Sequence, residues 1–282
     1  MLLHHHGIAK AIESLEPLPA TAGRLASLLA RSDWELREVE ETIALDQALT
    51  PRILALANSA LLSRGSEIAT VRDAVMRLGA QSVVQVAMSV GVRKRLTKAL
   101  PQYGLTDGQL WSHSVACALA AQLLSNKKRG KIPPEAFTAA LMHDIGKLVL
   151  ARFLDQERVA GLVEAQKAGT PLRLAELELL GIEHAEIGAA VVAHWKLPER
   201  LRLAVQYHHT PTETDELLAS AVHVADIVGH RAEAATVGVL GFEADVEPDP
   251  IALERLGLVP AELDEVVEKV GKELADVLRR YA

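Results

Sequence analysis

Apolar residues recur along most of this chain at intervals of three and four, which places them on one face of an α-helix. A clear case is the run in which Trp34, Leu36, Val39 and Ile43 follow one another near the helical period. Ser, Thr or Asp precede several such runs and Gly or Pro follow them, as is typical of helix starts and stops. The first hundred residues contain no convincing strand pattern. We therefore expect an all-α fold.

The pattern predicts helices throughout, with a break near residue 100. In the first part they are 7–15, a helix from Thr21 through Leu29, one capped by Ser32-Asp33, one within 46–60 with Pro51 in its first turn, Val71–Leu78 between the Thr70 cap and the Gly79 stop, and 82–92. In the second part they are 107–124, one opened by Pro133-Pro134, one ending at Leu180, 184–195, 198–209, 215–229 and the charged amphipathic stretch 260–280, with an irregular acidic segment over 231–249.

The segment Pro101-Gln102-Tyr103-Gly104 is the best candidate for a boundary, because Pro and Gly interrupt helices. We predict a two-lobed helical bundle. It comprises an N-terminal lobe over 1–100, a second lobe over 101–232 and a C-terminal helical extension over 233–282.

Composition narrows the functional classes. Aromatic residues make up only 3% of the chain, which favours close-packed helices over sheets. The net charge of −7 argues against nonspecific nucleic-acid binding, although basic residues cluster at 93–98 and 127–131. The one cysteine, Cys117, excludes internal disulfides and a Cys-rich zinc site, and we expect it to be a core residue. With no apolar run long enough to span a membrane, a cytoplasmic location is expected.

The pentapeptide His143-Asp144-Ile145-Gly146-Lys147 lies between two apolar runs. Polar groups in such surroundings are costly unless they are paired or bind something. One interpretation is a buried ion pair between Asp144 and Lys147, with His143 hydrogen-bonded in the core. The other is a metal site in which Asp144 bridges two ions. On a helical turn Lys147 would share their face and could contact a phosphate.

Other nitrogen and oxygen donors fall in or at the end of predicted helices of the second lobe. Together with the pentapeptide they form a candidate metal-ligand set of His113, His143, Asp144, His184, His208, His209 and Asp226. Such donors suit Fe, Mn, Zn, Ni or Mg. Two of these ions close together could hold a phosphate and activate water.

The order His…His-Asp…Asp in a helical lobe resembles the HD superfamily of metal-dependent phosphohydrolases. The added His184 and His208-His209 resemble the longer ligand set of the HD-GYP branch, whose members hydrolyse cyclic di-GMP. The first lobe resembles the HDOD domain, the HD-related output domain of bacterial signalling proteins. Its matching segments are Pro17-Leu18-Pro19, Asp46-Gln47-Ala48-Leu49, Leu56-Ala57-Asn58-Ser59-Ala60, Ile68 through Val75 and Leu78-Gly79. The resemblance covers roughly residues 10–230.

The resemblance implies roles by position. His113, His143, Asp144 and Asp226 match the core HD ligands, with Asp144 as the bridging carboxylate. His184, His208 and His209 match the ligands of a second metal, and Lys147 matches the phosphate-contacting lysine. Asp144 and Lys147 are therefore the candidate catalytic residues. After His209 the chain lacks a Gly-Tyr-Pro loop, which argues against cyclic di-GMP as the substrate.

Two functions follow as expectations. The favoured one is a regulatory HDOD module that binds a signalling protein or a small nucleotide ligand, with metals that are structural or vestigial. The alternative is a metal-dependent phosphohydrolase or phosphodiesterase acting on a nucleotide. In both cases we expect a divalent, dinuclear metal centre and neither membrane nor nucleic-acid binding. The C-terminal helix could support a homodimer or pack on its own lobe.

Overall fold

Helices account for the regular structure of this chain. The computed structural model describes residues 5–59, 68–128, 130–237 and 247–281. Within these ranges it contains no β-strand, and one isolated bridge joins Leu100 to Leu105. The all-α fold expected from the sequence is confirmed.

The α-helices of the described residues, in chain order, are α1 (His5–Glu13), α2 (Ala20–Leu29), α3 (Leu36–Ala44), α4 (Leu49–Ala57), α5 (Val71–Leu78), α6 (Ala80–Leu96), α7 (Gln109–Lys127), α8 (Ala136–Met142), α9 (Lys147–Leu150), α10 (Gln156–Lys167), α11 (Leu172–Leu180), α12 (His184–His194), α13 (Glu199–Gln206), α14 (Leu217–Val237), α15 (Pro250–Leu256) and α16 (Pro260–Tyr281). Short 3₁₀ helices cover Pro101–Tyr103, Ala151–Phe153 and Pro211–Glu213.

Several helix ends follow the local sequence signals. The Thr70 side chain accepts a hydrogen bond from the Asp73 N–H, so the predicted cap of α5 is confirmed. Gly79 ends that helix with φ of 81°, a left-handed value that favours glycine. Pro51 lies in the first turn of α4, as predicted.

Two predicted helix starts are wrong. Helix α2 begins at Ala20 after Pro19, so Thr21 is inside it and does not cap it. Helix α3 begins at Leu36 and not after Ser32-Asp33. The Glu35 and Glu38 side chains there each accept from the other residue's backbone N–H, a reciprocal capping box that satisfies two helix-end donors.

The chain divides into two units, which are described separately. One contains the described residues of Met1–Leu15, Arg95–His194 and Glu199–Ala282, and the other those of Glu16–Lys94 and Trp195–Pro198. The second unit is built around contacts of α2, α4 and α5 with α3 and of α4 with α5. The domain boundaries drawn from the sequence remain predictions.

Helix α7 is the centre of the first unit. It contacts α8, α14 and α16. Its residues from Leu110 to Ala121 are all buried, as expected of a helix that is apolar on every side. Many are alanines, whose small side chains let neighbouring helices approach closely. Polar residues on such a helix are therefore placed in the interior, and His113 is one of them.

Helix α14 runs eight residues past its predicted end. We expected it to stop at Gly229, but it continues to Val237. Gly229 is a packing position, because a Cβ there would lie 2.5 Å from the Cys117 Sγ and 3.1 Å from the Cys117 backbone N. The extra turns carry His230 and Glu233 alongside His113. Residues 238–246 of the predicted irregular segment lie outside the described residues, as do Ala60 and Arg129.

Helix α16 packs its apolar face on α7 and α14. Its buried residues Leu263, Val266, Val270 and Leu274 recur at three- and four-residue intervals. In the part of the chain that the structure describes, no single helix is long and apolar enough to cross a membrane. Helices α5 and α6, joined at a bend of 104°, pass the same length and composition test only as a pair.

Candidate metal centre

The pentapeptide 143–147 forms a tight turn between two short helices. Helix α8 ends at Met142 and α9 begins at Lys147. In between, the N–H of Ile145 donates to the Met142 carbonyl and that of Lys147 to the Asp144 carbonyl, each at 3.0 Å. These are the three-residue steps of a 3₁₀ turn. A Cβ on Gly146 would lie 2.6 Å from the Gly188 backbone N, so glycine lets this turn lie directly on α12.

Three buried histidines use Nδ1 as a donor and turn Nε2 into a common space. His143 Nδ1 bonds to the Ala140 carbonyl at 2.7 Å, and His208 Nδ1 bonds to the Val205 carbonyl at 2.7 Å. His184 Nδ1 bonds to the Glu176 carboxylate at 2.7 Å. Because a carbonyl only accepts, the first two rings carry their proton on Nδ1, and in the neutral ring Nε2 is a lone pair. This is the tautomer that a metal-ligating histidine adopts.

His208 is the clearest of the three. Its side chain is fully buried, and Nε2 has no hydrogen-bond partner. Burial lowers the pKa of His208 well below the usual histidine value, and His209 and His143 lower it further. The ring is therefore neutral, with an unsatisfied lone pair in the interior. Such a group is costly unless a ligand is bound to it.

Asp144 presents its two oxygens to different neighbours. Oδ1 lies 3.3 Å from His184 Nε2, while Oδ2 lies 3.5 Å from His143 Nε2 and 3.9 Å from His113 Nε2. Burial would raise the pKa of Asp144, but His143 and Lys147 outweigh it and hold that pKa well below the usual value. A carboxylate that separates two groups of donors has the arrangement needed to bridge two cations.

Lys147 makes the ion pair that the first interpretation of the pentapeptide expected. Its Nζ lies 2.7 Å from Asp144 Oδ2, and both side chains are buried. His143 likewise has the expected hydrogen bond to the core backbone. Both features coexist with the donor groups of the metal interpretation, so the two readings of the sequence do not exclude each other.

Asp226 lies beside one histidine of α7, one directly after α8 and one of α14. Its Oδ1 lies 3.0 Å from His113 Nε2, 3.3 Å from His143 Nε2 and 3.5 Å from His230 Nε2. Burial would raise the pKa of Asp226, but His143 and His230 hold it well below the usual value. His209 lies on the other side of the cluster, with its Nε2 at 3.0 Å from His184 Nε2. The structure thus brings all seven predicted ligands together.

Three residues that were not predicted from the sequence hold the candidate ligands in place. Glu233 Oε2 lies 2.8 Å from His113 Nδ1, and Glu176 accepts from both the backbone N–H and Nδ1 of His184. His230 stacks on His113 with ring centroids 4.1 Å apart. The spacing of 226, 230 and 233 follows one helix face and could have revealed two of them. Glu176 is eight residues before His184, across a turn, where no periodicity applies.

These residues fit divalent metal ions. The donor atoms of His184, His208 and His209 lie within 4.8 Å of one another, as do those of His143, Asp144 and His208. Four carboxylates are buried in the cluster beside one ammonium, namely those of Asp144, Glu176, Asp226 and Glu233. Buried negative charge of this kind requires compensation by cations or protons. Nitrogen and oxygen donors suit Fe, Mn, Zn, Ni or Mg.

Comparison with known proteins places the chain in a family. A model of the HDOD domain matches residues 15–211. The chain belongs to the HDOD family. This confirms the resemblance seen in the first lobe, and the match extends through His184, His208 and His209.

Solved structures of HDOD proteins and their relatives share this fold. An HDOD domain protein of unknown function from Geobacter sulfurreducens superposes with a TM-score of 0.72 at 23% identity, covering 95% of this chain and 96% of its own. A candidate phosphohydrolase from Shewanella amazonensis gives 0.66 at 27% identity, covering 95% and 94%. A candidate signal transduction protein from Marinobacter aquaeolei gives 0.73 at 22% identity, covering 98% and 64%.

A curated relative is longer than this chain. An uncharacterised protein from Treponema pallidum is 26% identical over 207 residues, which cover 72% of this chain but 39% of the relative. The chain therefore spans well under half the length of that protein.

Proposed function

We propose that this HDOD protein is a metal-binding regulatory module of bacterial signal transduction, whose buried centre holds two divalent cations. The observation that carries the metal is the buried Nε2 of His208, which has no hydrogen-bond partner and whose donor atom lies within 4.8 Å of those of His143 and Asp144. Its helical surface would bind a signalling protein or a small nucleotide ligand. Membership of the HDOD family supports the signalling role.

In this proposal the ligands fall into two groups around one carboxylate. His113, His143 and Asp226 would hold one cation, and His184, His208 and His209 would hold the other. Asp144 would contact both through its separate oxygens. Glu176 and Glu233 fix the rings of His184 and His113 from behind. Such outer partners orient ligands and strengthen their basicity.

A second candidate function is hydrolysis of a phosphoester. Lys147 favours it, because a buried ammonium at 2.7 Å from the bridging carboxylate is positioned to attract a phosphate. The 27% identity to the candidate phosphohydrolase, over nearly the full length of both chains, also supports it. When bound, divalent ions would supply Lewis acidity toward a phosphoryl oxygen and activate water. The residues of this chain would orient the substrate and exclude bulk water.

Elemental analysis of the purified chain, followed by a phosphodiesterase screen with added Mn²⁺ and Fe²⁺, tests both functions. The regulatory proposal expects about two metal ions per chain and no turnover, with metal lost in Asp144→Ala and kept in the exposed control Asp215→Ala. Turnover that disappears only in Asp144→Ala would replace it with the hydrolase. Protein that takes up no metal would overturn both.

A further inference from the structure

The thiol of Cys117 lies inside the donor cluster. Its side chain is fully buried, and Sγ lies 3.5 Å from His113 Nε2 and 3.6 Å from Asp226 Oδ1. The donor atoms of His113, Cys117, His143 and Asp226 all lie within 4.8 Å of one another. We propose that Cys117 is a thiolate ligand of the cation held by His113, His143 and Asp226, which makes that position selective for Zn²⁺ over Mn²⁺ and Mg²⁺. This inference rests on the proposed metal centre.

Four of the six separations among the four donors are close to those of atoms that share one metal ion. With metal–nitrogen and metal–oxygen bonds of about 2.0–2.1 Å and a metal–sulfur bond of about 2.3 Å, tetrahedral donors lie roughly 3.3–3.6 Å apart. Asp226 Oδ1 lies 3.0 Å from His113 Nε2 and 3.3 Å from His143 Nε2. The two distances from Cys117 Sγ, 3.5 Å to His113 Nε2 and 3.6 Å to Asp226 Oδ1, lie in the same range.

A separate observation indicates that a cation belongs among these atoms. His143 commits its Nδ1 hydrogen to the Ala140 carbonyl and turns Nε2 toward Asp226 Oδ1 at 3.3 Å. Both side chains are buried, at 1% and 5% exposure. A carboxylate buried this deeply needs positive charge beside it, which a bound cation would supply. Cys117 Sγ lies 3.6 Å from the same Asp226 oxygen.

Packing around Cys117 leaves room for the sulfur atom. Gly229 on α14 faces it, and any larger residue there would place a Cβ 2.5 Å from Sγ. Because His113 precedes Cys117 by four residues, one helix face of α7 presents both donors. A cysteine at this position could serve only as a small core residue, as an alanine would. The two roles differ in whether the sulfur bonds to the metal.

Binding of the cation by Cys117 needs no oxidant or reductant. The S–H bond of Cys117 breaks, a metal–sulfur bond forms with the same electron pair, and the proton is released to solvent. A thiolate is a soft donor, which favours Zn²⁺ or Co²⁺ over the hard ions Mn²⁺ and Mg²⁺. The half of the centre that holds His184, His208 and His209 has only nitrogen and oxygen donors, so the two positions would differ in metal preference.

Cobalt substitution of the full chain tests this assignment. Protein loaded with Co²⁺ alone is expected to show a near-ultraviolet thiolate-to-cobalt charge-transfer band that is absent in Cys117→Ser and Cys117→Ala. Zn²⁺ affinity should fall roughly tenfold or more in these variants, since even the loss of an outer partner of a ligand costs about that much. Mn²⁺ affinity should change less, so the Zn²⁺/Mn²⁺ selectivity falls.

The outcomes separate this inference from the proposed function. If Co²⁺ binds to the unaltered chain without the band, or if Cys117→Ser keeps the same Zn²⁺/Mn²⁺ selectivity, the thiolate assignment is overturned and the metal centre stands. If the unaltered chain takes up no cobalt or zinc, both fall. Should the variants not fold, X-ray absorption of the zinc-loaded unaltered chain decides, because a sulfur neighbour at about 2.3 Å is either present or absent.

Discussion

Glu176 holds His184 through two hydrogen bonds. Its Oε2 accepts from His184 Nδ1 at 2.7 Å and from the His184 backbone N–H at 2.8 Å. Its other oxygen accepts from the Tyr103 hydroxyl at 2.7 Å. Burial opposes the charge on both partners, yet His184 lowers the pKa of Glu176 and Glu176 raises that of His184. The carboxylate therefore fixes both the position and the tautomer of a candidate ligand.

Replacing Glu176 by Gln is expected to weaken metal binding by about 10–100-fold, the usual cost of losing an outer partner of a ligand. The amide keeps the shape but removes the negative charge that strengthens the imidazole as a donor. Competition titrations with a chelating indicator measure the affinity. Glu178→Gln is the matched control, since Glu178 is exposed on the same helix. Equal affinities of the two variants would contradict the role given to Glu176.

The helices and the donor-rich pentapeptide could be predicted because both depend on local signals. Apolar periodicity located the helices, and the pentapeptide 143–147 combined three donor types within one turn. The wrong helix starts show where such signals compete. Asp33 was read as part of a cap, but it pairs with Arg31 at 2.9 Å, while Glu35 and Glu38 cap α3. Several good capping residues close together do not identify which one the helix uses.

The parts that could not be predicted depend on contacts between helices. The helix predicted over 215–229 was expected to end at Gly229, but this glycine is the point where α14 approaches Cys117 on α7. Glycine serves either purpose, and only the neighbouring helix decides between them. Cys117 is buried as predicted. Its closeness to Asp226 could not be predicted, because it results from the packing of α7 against α14.

The ion pairs of Glu265 on helix α16 should make the free energy of unfolding depend on pH in acid. Lys127 on α7 and Lys269 on α16 hydrogen-bond to Glu265 and lower its pKa from 4.5 to about 2. A carboxyl whose folded-state pKa is depressed stabilises the fold above its unfolded-state pKa and loses that effect as pH falls toward the folded value. The loss therefore lies between pH 4.5 and about 2.

In Glu265→Gln the free energy of unfolding, measured with urea, should fall less steeply as pH is lowered across that window. The change should be small because the Glu265 side chain is 49% exposed. Glu273→Gln, exposed on the same helix, should leave the slope unchanged. Added salt should shrink the difference between the two variants by screening. A steeper slope in Glu265→Gln would contradict the assignment.

Gly146→Ala should destabilise the chain by about 1–3 kcal/mol or more, the range for overpacking an interior. The new Cβ would meet the His184 carbonyl and the Gly188 N–H, which are backbone atoms that cannot rotate away. Urea denaturation measures the effect. Gly23→Ala is the control, because nothing lies within 4 Å of a Cβ at that position inside α2. There the helix should gain about 0.5–1 kcal/mol. Equal stability of Gly146→Ala and the unaltered chain would mean that the 143–147 turn does not lie on α12.

Lys147→Met should strengthen metal binding while it weakens any contact with phosphate. In the metal-free chain the ammonium neutralises Asp144 at 2.7 Å, so a cation bound to the same oxygen must compete with it. Methionine fills a similar volume without charge and leaves that carboxylate uncompensated until metal arrives, which destabilises the metal-free state. The rise in melting temperature on adding Mn²⁺ should therefore exceed that of the unaltered chain. Lys167→Met, at an exposed ion pair, is the control. A smaller rise in Lys147→Met would show that Lys147 supports the metal and does not compete with it.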